Sequence, residues 1–223
     1  MKLTTLINLV HKNQVFFGLY LLLLLLGSYP LLAWDKINFL LLINSYSHPF
    51  FDYFFYYITH LGSGITYILM LLILVLLQVA NRKIFIGGTS FVVLSVIVQG
   101  LKRIIFADQL RPLQLVPDPS ALHLVDHVKV LSELSFPSGH AATIFAGVCL
   151  LHLLLPTKNR LYSIFLLGIA LAVAYSRMYL CQHFYKDVYV GTCIGGVVTP
   201  LVYASLINWQ VPDWLTQRLP IKI

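Results

Sequence analysis

Three short polar stretches hold the residues that could do chemistry in this chain: KRIIFADQLRP (102–112), SFPSGH (135–140) and SRMYLCQHFYKD (176–187). Lys102, Arg111 and Arg177 supply three cations. Pro137, Ser138 and Gly139 open a helix whose first backbone N–H groups are free and whose dipole end is positive. Cations and helix start together form a trap for an anion, phosphate above all. His183 and Asp187 stand four residues apart. If the following helix starts early enough they share one face, and the carboxylate can hold one ring nitrogen while the other points at the anion. A histidine held in this way is a candidate nucleophile. His140, at the mouth of the helix opened by Gly139, is a second histidine available to give a proton.

The rest of the chain must bring these stretches together. Of 223 residues, 59% are hydrophobic and only 10% charged, far from the globular average and typical of a membrane protein. A continuous span needs about 20 apolar residues. Six runs come near that length: 15–33, 65–80, 84–101, 139–155, 161–176 and 188–207. The expected fold is therefore an all-α bundle of six transmembrane helices, one domain over residues 1–223. Lys2 and Lys12 before the first run also suit a signal peptide, but the run is long and no small-residue cleavage site follows it before Trp34 and Asp35. The stretch 37–60, rich in Tyr and Phe and interrupted by His48, Pro49 and Asp52, is expected to form amphipathic segments at the interface.

Charge placement orients the bundle. The amino end, the loop near Asn81, the loop near Lys158 and the carboxyl end hold Lys2, Lys12, Arg82, Lys83, Lys158, Arg160, Arg218 and Lys222 against Asp213 alone. The positive-inside rule makes this side cytoplasmic, with both termini inside. The formal charge of +7 is thus a topology signal and argues against a nucleic-acid partner. Six spans then put the three polar stretches on the opposite, outward face of the inner membrane. Arg, Lys or Asp at the bilayer centre costs about 2.5–3.5 kcal/mol each, so these residues are expected near the interface or paired within the bundle.

With these motifs the sequence resembles the type 2 phosphatidic acid phosphatase superfamily, in its membrane lipid phosphatase branch. That family's signature is Lys, six residues, Arg-Pro; then Pro-Ser-Gly-His; then Ser-Arg, five residues, His, three residues, Asp. The second motif is present as Pro137, Ser138, Gly139 and His140, and the third as Ser176, Arg177, His183 and Asp187 with the family spacing. The first departs from the pattern, because eight residues separate Lys102 from Arg111 and Pro112. The resemblance covers about residues 65–207. It implies a metal-free, cofactor-free membrane hydrolase that removes phosphate from lipid phosphates at the outer surface. In this likeness His183 becomes phosphohistidine, Asp187 raises its basicity, and His140 protonates the leaving oxygen and later activates water. Lys102, Arg111, Arg177, Ser138 and the Gly139 backbone bind the phosphate oxygens.

Two other readings stand beside hydrolysis: a transferase that passes the phosphoryl group to another lipid, and an anion transporter using the same cations. Undecaprenyl diphosphate, phosphatidylglycerophosphate, phosphatidic acid and lipid A all present a suitable phosphate, and no motif reads the headgroup. The segment Leu113 to Leu134 is expected to cover the site. Either Lys102 or the adjacent Arg103 could face the anion; the family pattern favours Lys102, with the extra residues absorbed in a loop around Ala107 and Asp108. Gly191 and Gly195 form a GxxxG pattern expected to pack within the bundle. His123 and His127 flank Asp126, and no further ligand follows at metal-site spacing. Cys149, Cys181 and Cys193 read as buried thiols.

Orientation can be tested directly. In a background lacking the three cysteines, Ser120→Cys should react with an impermeant thiol reagent in intact cells and Lys158→Cys should not; labelling at 158 instead would overturn the outward-facing site.

Overall fold

The computed structural model describes residues 3–155 and 159–210, and among these there are helices and turns but no strand. Lys2, Lys158, Arg218, Lys222 and Asp213, which contribute to the charge asymmetry, lie outside the described residues. The helices are α1 (Leu3–Lys12), α2 (Gln14–Ala33), α3 (Lys36–Ser45), α4 (Pro49–Ile58), α5 (Gly64–Leu76), α6 (Asn81–Gly100), a four-residue α7 (Pro112–Leu115), α8 (Gly139–Leu154), α9 (Arg160–Tyr179) and α10 (Tyr185–Leu206). A 3-10 turn, Thr59–Gly62, joins α4 to α5, and a π-helical turn, Leu101–Ile105, extends α6.

All six apolar runs are helical, but they are not six equal spans. Four helices are long and apolar enough to cross a membrane: Gln14–Ala33, Asn81–Ile105, Arg160–Tyr179 and Tyr185–Leu206. The second run forms a helix of only 13 residues, because Ser63 caps its start and Gln78, with φ of 54°, follows its end. It reaches spanning length only jointly with Pro49–Gly62, from which it is bent by 63°. The aromatic stretch expected at the interface thus holds α3 and α4, and α4 is one arm of that bent pair.

Helix α8, with 16 residues, rises about 24 Å, short of a hydrocarbon core of about 30 Å. Its surroundings explain this. It is buried from Ala141 and Ala142 to Leu153 and Leu154 and faces protein on every side. Helix α2 is its opposite: only Phe16 and Tyr20 are buried, while Leu21, Leu22, Leu25 and Leu26 remain exposed to the surroundings. The polar residues divide between the two ends of α8. At its C-terminal end the Lys83 ammonium donates to the Leu154 carbonyl (2.9 Å) and Arg82 to the Leu206 carbonyl (3.1 Å). All three polar motifs lie at the other end.

Helices α8 and α10 approach most closely. A Cβ added at Gly191 would run into the Ser138 carbonyl and the Ala141 side chain, and one at Gly195 into the Ala142 carbonyl and the Ala146 nitrogen. The GxxxG pattern is therefore an intramolecular seam, as its sequence context suggested. Gly62 plays a similar part for the 3-10 turn, since a Cβ there would meet Val173 Cγ1 at 2.8 Å and the His140 carbonyl at 2.9 Å.

The seam predicts a stability difference. Gly195→Leu should destabilise the purified protein by about 1–3 kcal/mol, a fall of several degrees in Tm. Gly168→Leu, at an exposed position with nothing within 4 Å of its Cβ, should leave Tm unchanged or slightly higher.

Candidate active site

The site is built on the start of α8. Ser138 caps this helix, its hydroxyl oxygen accepting from the Ala141 N–H (3.4 Å), while its own N–H donates to the Asp187 carbonyl (2.8 Å). The first turns of α8 and α10 are thereby tied together. A Cβ at Gly139 would meet nothing nearer than Val98 Cγ1 at 3.8 Å, so packing does not demand glycine there.

Lys102, Arg111 and Arg177 converge on this end of the bundle and all three are buried. The Lys102 ammonium donates to the carbonyls of Leu134 (2.6 Å) and Ser135 (3.3 Å). Arg103, the neighbour that could have taken its place, is exposed and donates from Nε to Gln99 Oε1 (3.1 Å) along its own helix. The π-helical turn explains how Lys102 keeps its place despite the long first motif. A π turn accommodates more residues than an α turn, so Leu101–Ile105 takes up part of the excess and the turn at Phe106–Asp108 the rest.

Arg111 reaches further into the loops. Its Nε donates to the Glu133 carbonyl (2.8 Å), and Nη1 to the carbonyl (2.9 Å) and Oε1 (3.2 Å) of Gln182. Burial holds its guanidinium below the usual range, with Asp187 opposing. Arg177 donates from Nη1 to Thr59 Oγ1 (2.7 Å), while its buried Nε has no partner.

His183 sits in the turn between α9 and α10. That turn is fixed by the Arg177 carbonyl, which accepts from the N–H groups of both Gln182 (2.9 Å) and His183 (3.0 Å), and by Cys181 in the left-handed region (φ 53°). His183 is 2% exposed, and its Nδ1 lies 3.5 Å from Asp187 Oδ2 without a hydrogen-bond partner of its own. That carboxylate oxygen accepts from Ser135 Oγ (2.5 Å) and the Phe184 N–H (3.1 Å). Burial, then Arg111, Arg177 and Lys102, push the imidazole well below the ordinary histidine range, with the Ser135 backbone opposing. The ring is neutral at neutral pH, the state in which an imidazole has a free lone pair.

His140 stands between two cavities. One, of about 290 Å³, carries Thr59, His60, Lys129, Arg177 and Gln182 on walls that are otherwise mostly apolar, with Val128, Leu131 and Leu180. The other, of about 510 Å³, is walled by Ile65, Ile68, Phe91, Leu94 and Val98 and also reaches Gly139. His183 lines neither and is itself buried.

Sequence reasoning missed Thr59, His60, Ser135 and Gln182 as parts of this end of the bundle. Ser135 and Gln182 lie inside the quoted motifs and had only their neighbourhood to mark them. Thr59 and His60 had one signal, the polar break THLGSG between two apolar runs. His123 is engaged elsewhere, its Nε2 2.9 Å from Asp52 Oδ1. Among the described residues no three His, Cys, Asp or Glu side chains form a group that could hold a metal ion.

Electrostatics summarise the site. Among the buried ionisable side chains of the described residues, three cations, Lys102, Arg111 and Arg177, stand against one carboxylate, Asp187. Two positive charges are left over at low dielectric, where their attraction for an anion is strong. Lys102→Ala should accordingly weaken the binding of orthovanadate by about 10- to 100-fold, the worth of one charged hydrogen bond of about 1.5–3 kcal/mol. Arg103→Ala should change it less than about threefold. The reverse order would mean that the last turn of α6 presents Arg103 to the site.

No curated protein matches the chain. Among solved structures, LpxE of Aquifex aeolicus superposes with a TM-score of 0.65 at 27% identity, over 76% of this chain and 96% of that one. The first transmembrane PAP2 type phosphatidylglycerolphosphate phosphatase from Bacillus subtilis superposes with a TM-score of 0.59 at 23% identity, over 87% and 96%, a likeness of fold. The model of the PAP2 superfamily matches residues 84–210, from α6 to beyond α10, and so takes in all three motifs. With more than half of its length matched in this way and its helices arranged like those of these structures, the chain is a multi-pass membrane protein of the PAP2 superfamily.

Proposed function

We propose that the protein is a membrane lipid phosphatase that hydrolyses a phosphate monoester or diphosphate through a phosphohistidine on His183. The observation that carries this reading is the buried surplus of two positive charges around the start of α8, with Arg177 Nε unpaired beside it. A phosphate dianion matches that surplus. The lipid class is supported by the exposed apolar helices of a membrane protein and by His140, which lines two clefts whose walls are mostly apolar, an arrangement suited to a molecule with a hydrocarbon tail. The Bacillus subtilis neighbour is described as a phosphatase of such a lipid.

In the proposed reaction His183 Nε2 attacks phosphorus while Nδ1 turns its proton to Asp187 Oδ2. The bond from phosphorus to the leaving oxygen breaks, and His140, which takes up a proton when the bound dianion offsets the surrounding cations, gives it to that oxygen. Water then attacks the phosphohistidine, His140 takes its proton, and the bond between phosphorus and nitrogen breaks to release inorganic phosphate and free His183. Lys102, Arg111, Arg177, Ser138 and the Gly139 N–H bind the equatorial oxygens. Their charge does the work that a metal would otherwise do, since phosphoryl transfer depends mainly on positioning and charge stabilisation. The charge asymmetry favours an outward-facing site with both termini cytoplasmic.

The test is direct trapping. With phosphate-labelled lipid, His183→Ala should form no acid-labile, base-stable phosphoprotein, whereas His140→Ala should form it from a substrate whose leaving group needs no proton and then stall. Label on His183→Ala would place the nucleophile elsewhere. Phosphate release from a panel of undecaprenyl diphosphate, phosphatidylglycerophosphate, phosphatidic acid and lipid A should persist in EDTA and be inhibited by vanadate; loss in EDTA restored by Mg²⁺ would contradict the metal-free reading.

The depressed His183 sets the sign of the pH dependence. The neutral ring predominates above its folded pKa, which burial and the neighbouring cations hold well below the ordinary histidine range. Intermediate formation should therefore keep its rate as pH falls through 6.5 and decline only at lower pH. A decline centred at or above 6.5 would show an unperturbed nucleophile.

A further inference from the structure

The geometry points to Ser135 as the positioning residue of the nucleophile, its hydroxyl holding the one buried carboxylate for His183 and away from three competing cations; this rests on the phosphohistidine reading above. Ser135 is not part of the Pro-Ser-Gly-His motif that it precedes. It is 1% exposed, and its backbone is fixed by an N–H bond to the Gln109 carbonyl (2.9 Å).

Asp187 stands in a field of positive charge. Lys102 and Arg111 both feel it electrostatically, yet neither forms an ion pair with it, and His183 is its only charged or chargeable partner at ion-pair distance among the described residues. A buried carboxylate beside buried cations would ordinarily collapse onto one of them. Two arrangements oppose this. The Asp187 oxygen nearest His183 is tied to Ser135 Oγ at 2.5 Å and to the Phe184 N–H at 3.1 Å. The cations are meanwhile tied to carbonyls of the same strap, Arg111 to Glu133 and Lys102 to Leu134 and Ser135. Ser135 belongs to both arrangements: its carbonyl receives Lys102, and its hydroxyl holds Asp187.

The two functions separate in mutagenesis. Ser135→Ala deletes the hydroxyl and leaves the carbonyl in place. Asp187 is then released toward the cations and His183 loses its support, while the groups that bind the phosphate stay where they are. The expected signature is therefore a fall in kcat with little change in KM.

The experiment is a double-mutant cycle on the purified full-length protein, measuring phosphate release from phosphatidic acid micelles. Ser135→Ala should lower kcat by about 10- to 100-fold with KM within about threefold, and Ser135→Thr, which keeps a hydroxyl, should stay within about fivefold of the native kcat. In an Asp187→Asn background, Ser135→Ala should cost less than about threefold more, because the group that it positions is already disabled. Equal losses in both backgrounds, or a rise in KM at unchanged kcat, would overturn the role of Ser135 and leave the phosphatase reading standing. Absence of phosphate release by the native protein from every lipid phosphate of the panel would instead sink the phosphatase reading, and the role of Ser135 with it. Should Ser135→Ala lower Tm by more than about 5 °C, Ser135→Cys, of nearly the same volume and a weak donor, takes its place in the cycle under the same two expectations.

Discussion

Burying Lys102, Arg111 and Arg177 with a single carboxylate is the constraint on which the rest of the structure depends. Charges removed from water cost several kcal/mol each unless partners replace the water. At this end of the bundle the partners are mostly backbone carbonyls, those of Glu133, Leu134, Ser135 and Gln182, with Thr59 Oγ1 for Arg177. Carbonyls stabilise a cation without neutralising it, so the positive potential survives burial and remains available to an incoming anion. A neighbouring carboxylate for each cation would have cancelled that potential.

Holding that arrangement needs the long helices to meet in a fixed register. The close seam of Gly191 and Gly195 against Ala142 and Ala146 sets α8 against α10. The same approach lets the Ser138 N–H reach the Asp187 carbonyl, which couples the start of α8 to the helix that carries the carboxylate. The strap through Ser132 to Ser135 closes the assembly, with Ser132 accepting from the Arg111 N–H and Ser135 bonding Asp187. Helix packing and loop closure thus converge on the same few atoms.

Most of this end of the molecule was legible in the sequence because charged residues in an apolar chain need a reason to be there. His183 and Asp187 four apart and the helix start at Ser138 could be read from spacing and residue type, whereas the preference for Lys102 over Arg103 came from the family pattern and not from spacing. The GxxxG seam could be read as well, since only small residues permit that approach. What could not be read was supplied by residues distant in sequence or by backbone. Thr59 approaches Arg177 only because α4 and α5 bend at Gly62 and Ser63. The carbonyls of Glu133 and Leu134 have no side-chain signature. The differing burial of the six runs could not be read either, because hydropathy does not distinguish a helix with an exposed apolar surface, such as α2, from one enclosed by protein, such as α8.

The central claim is that the site is a preformed cluster of buried positive charge that takes up a dianion. Thermal unfolding of the purified protein in sulfate, phosphate and nitrate at matched ionic strength tests this most directly. A bound dianion at 100 times its Kd should stabilise the fold by about 2.7 kcal/mol. The account predicts that phosphate and sulfate raise Tm by several degrees above nitrate, and that Arg177→Leu abolishes the difference. Equal Tm values in all three salts, or a difference that survives in Arg177→Leu, would contradict it.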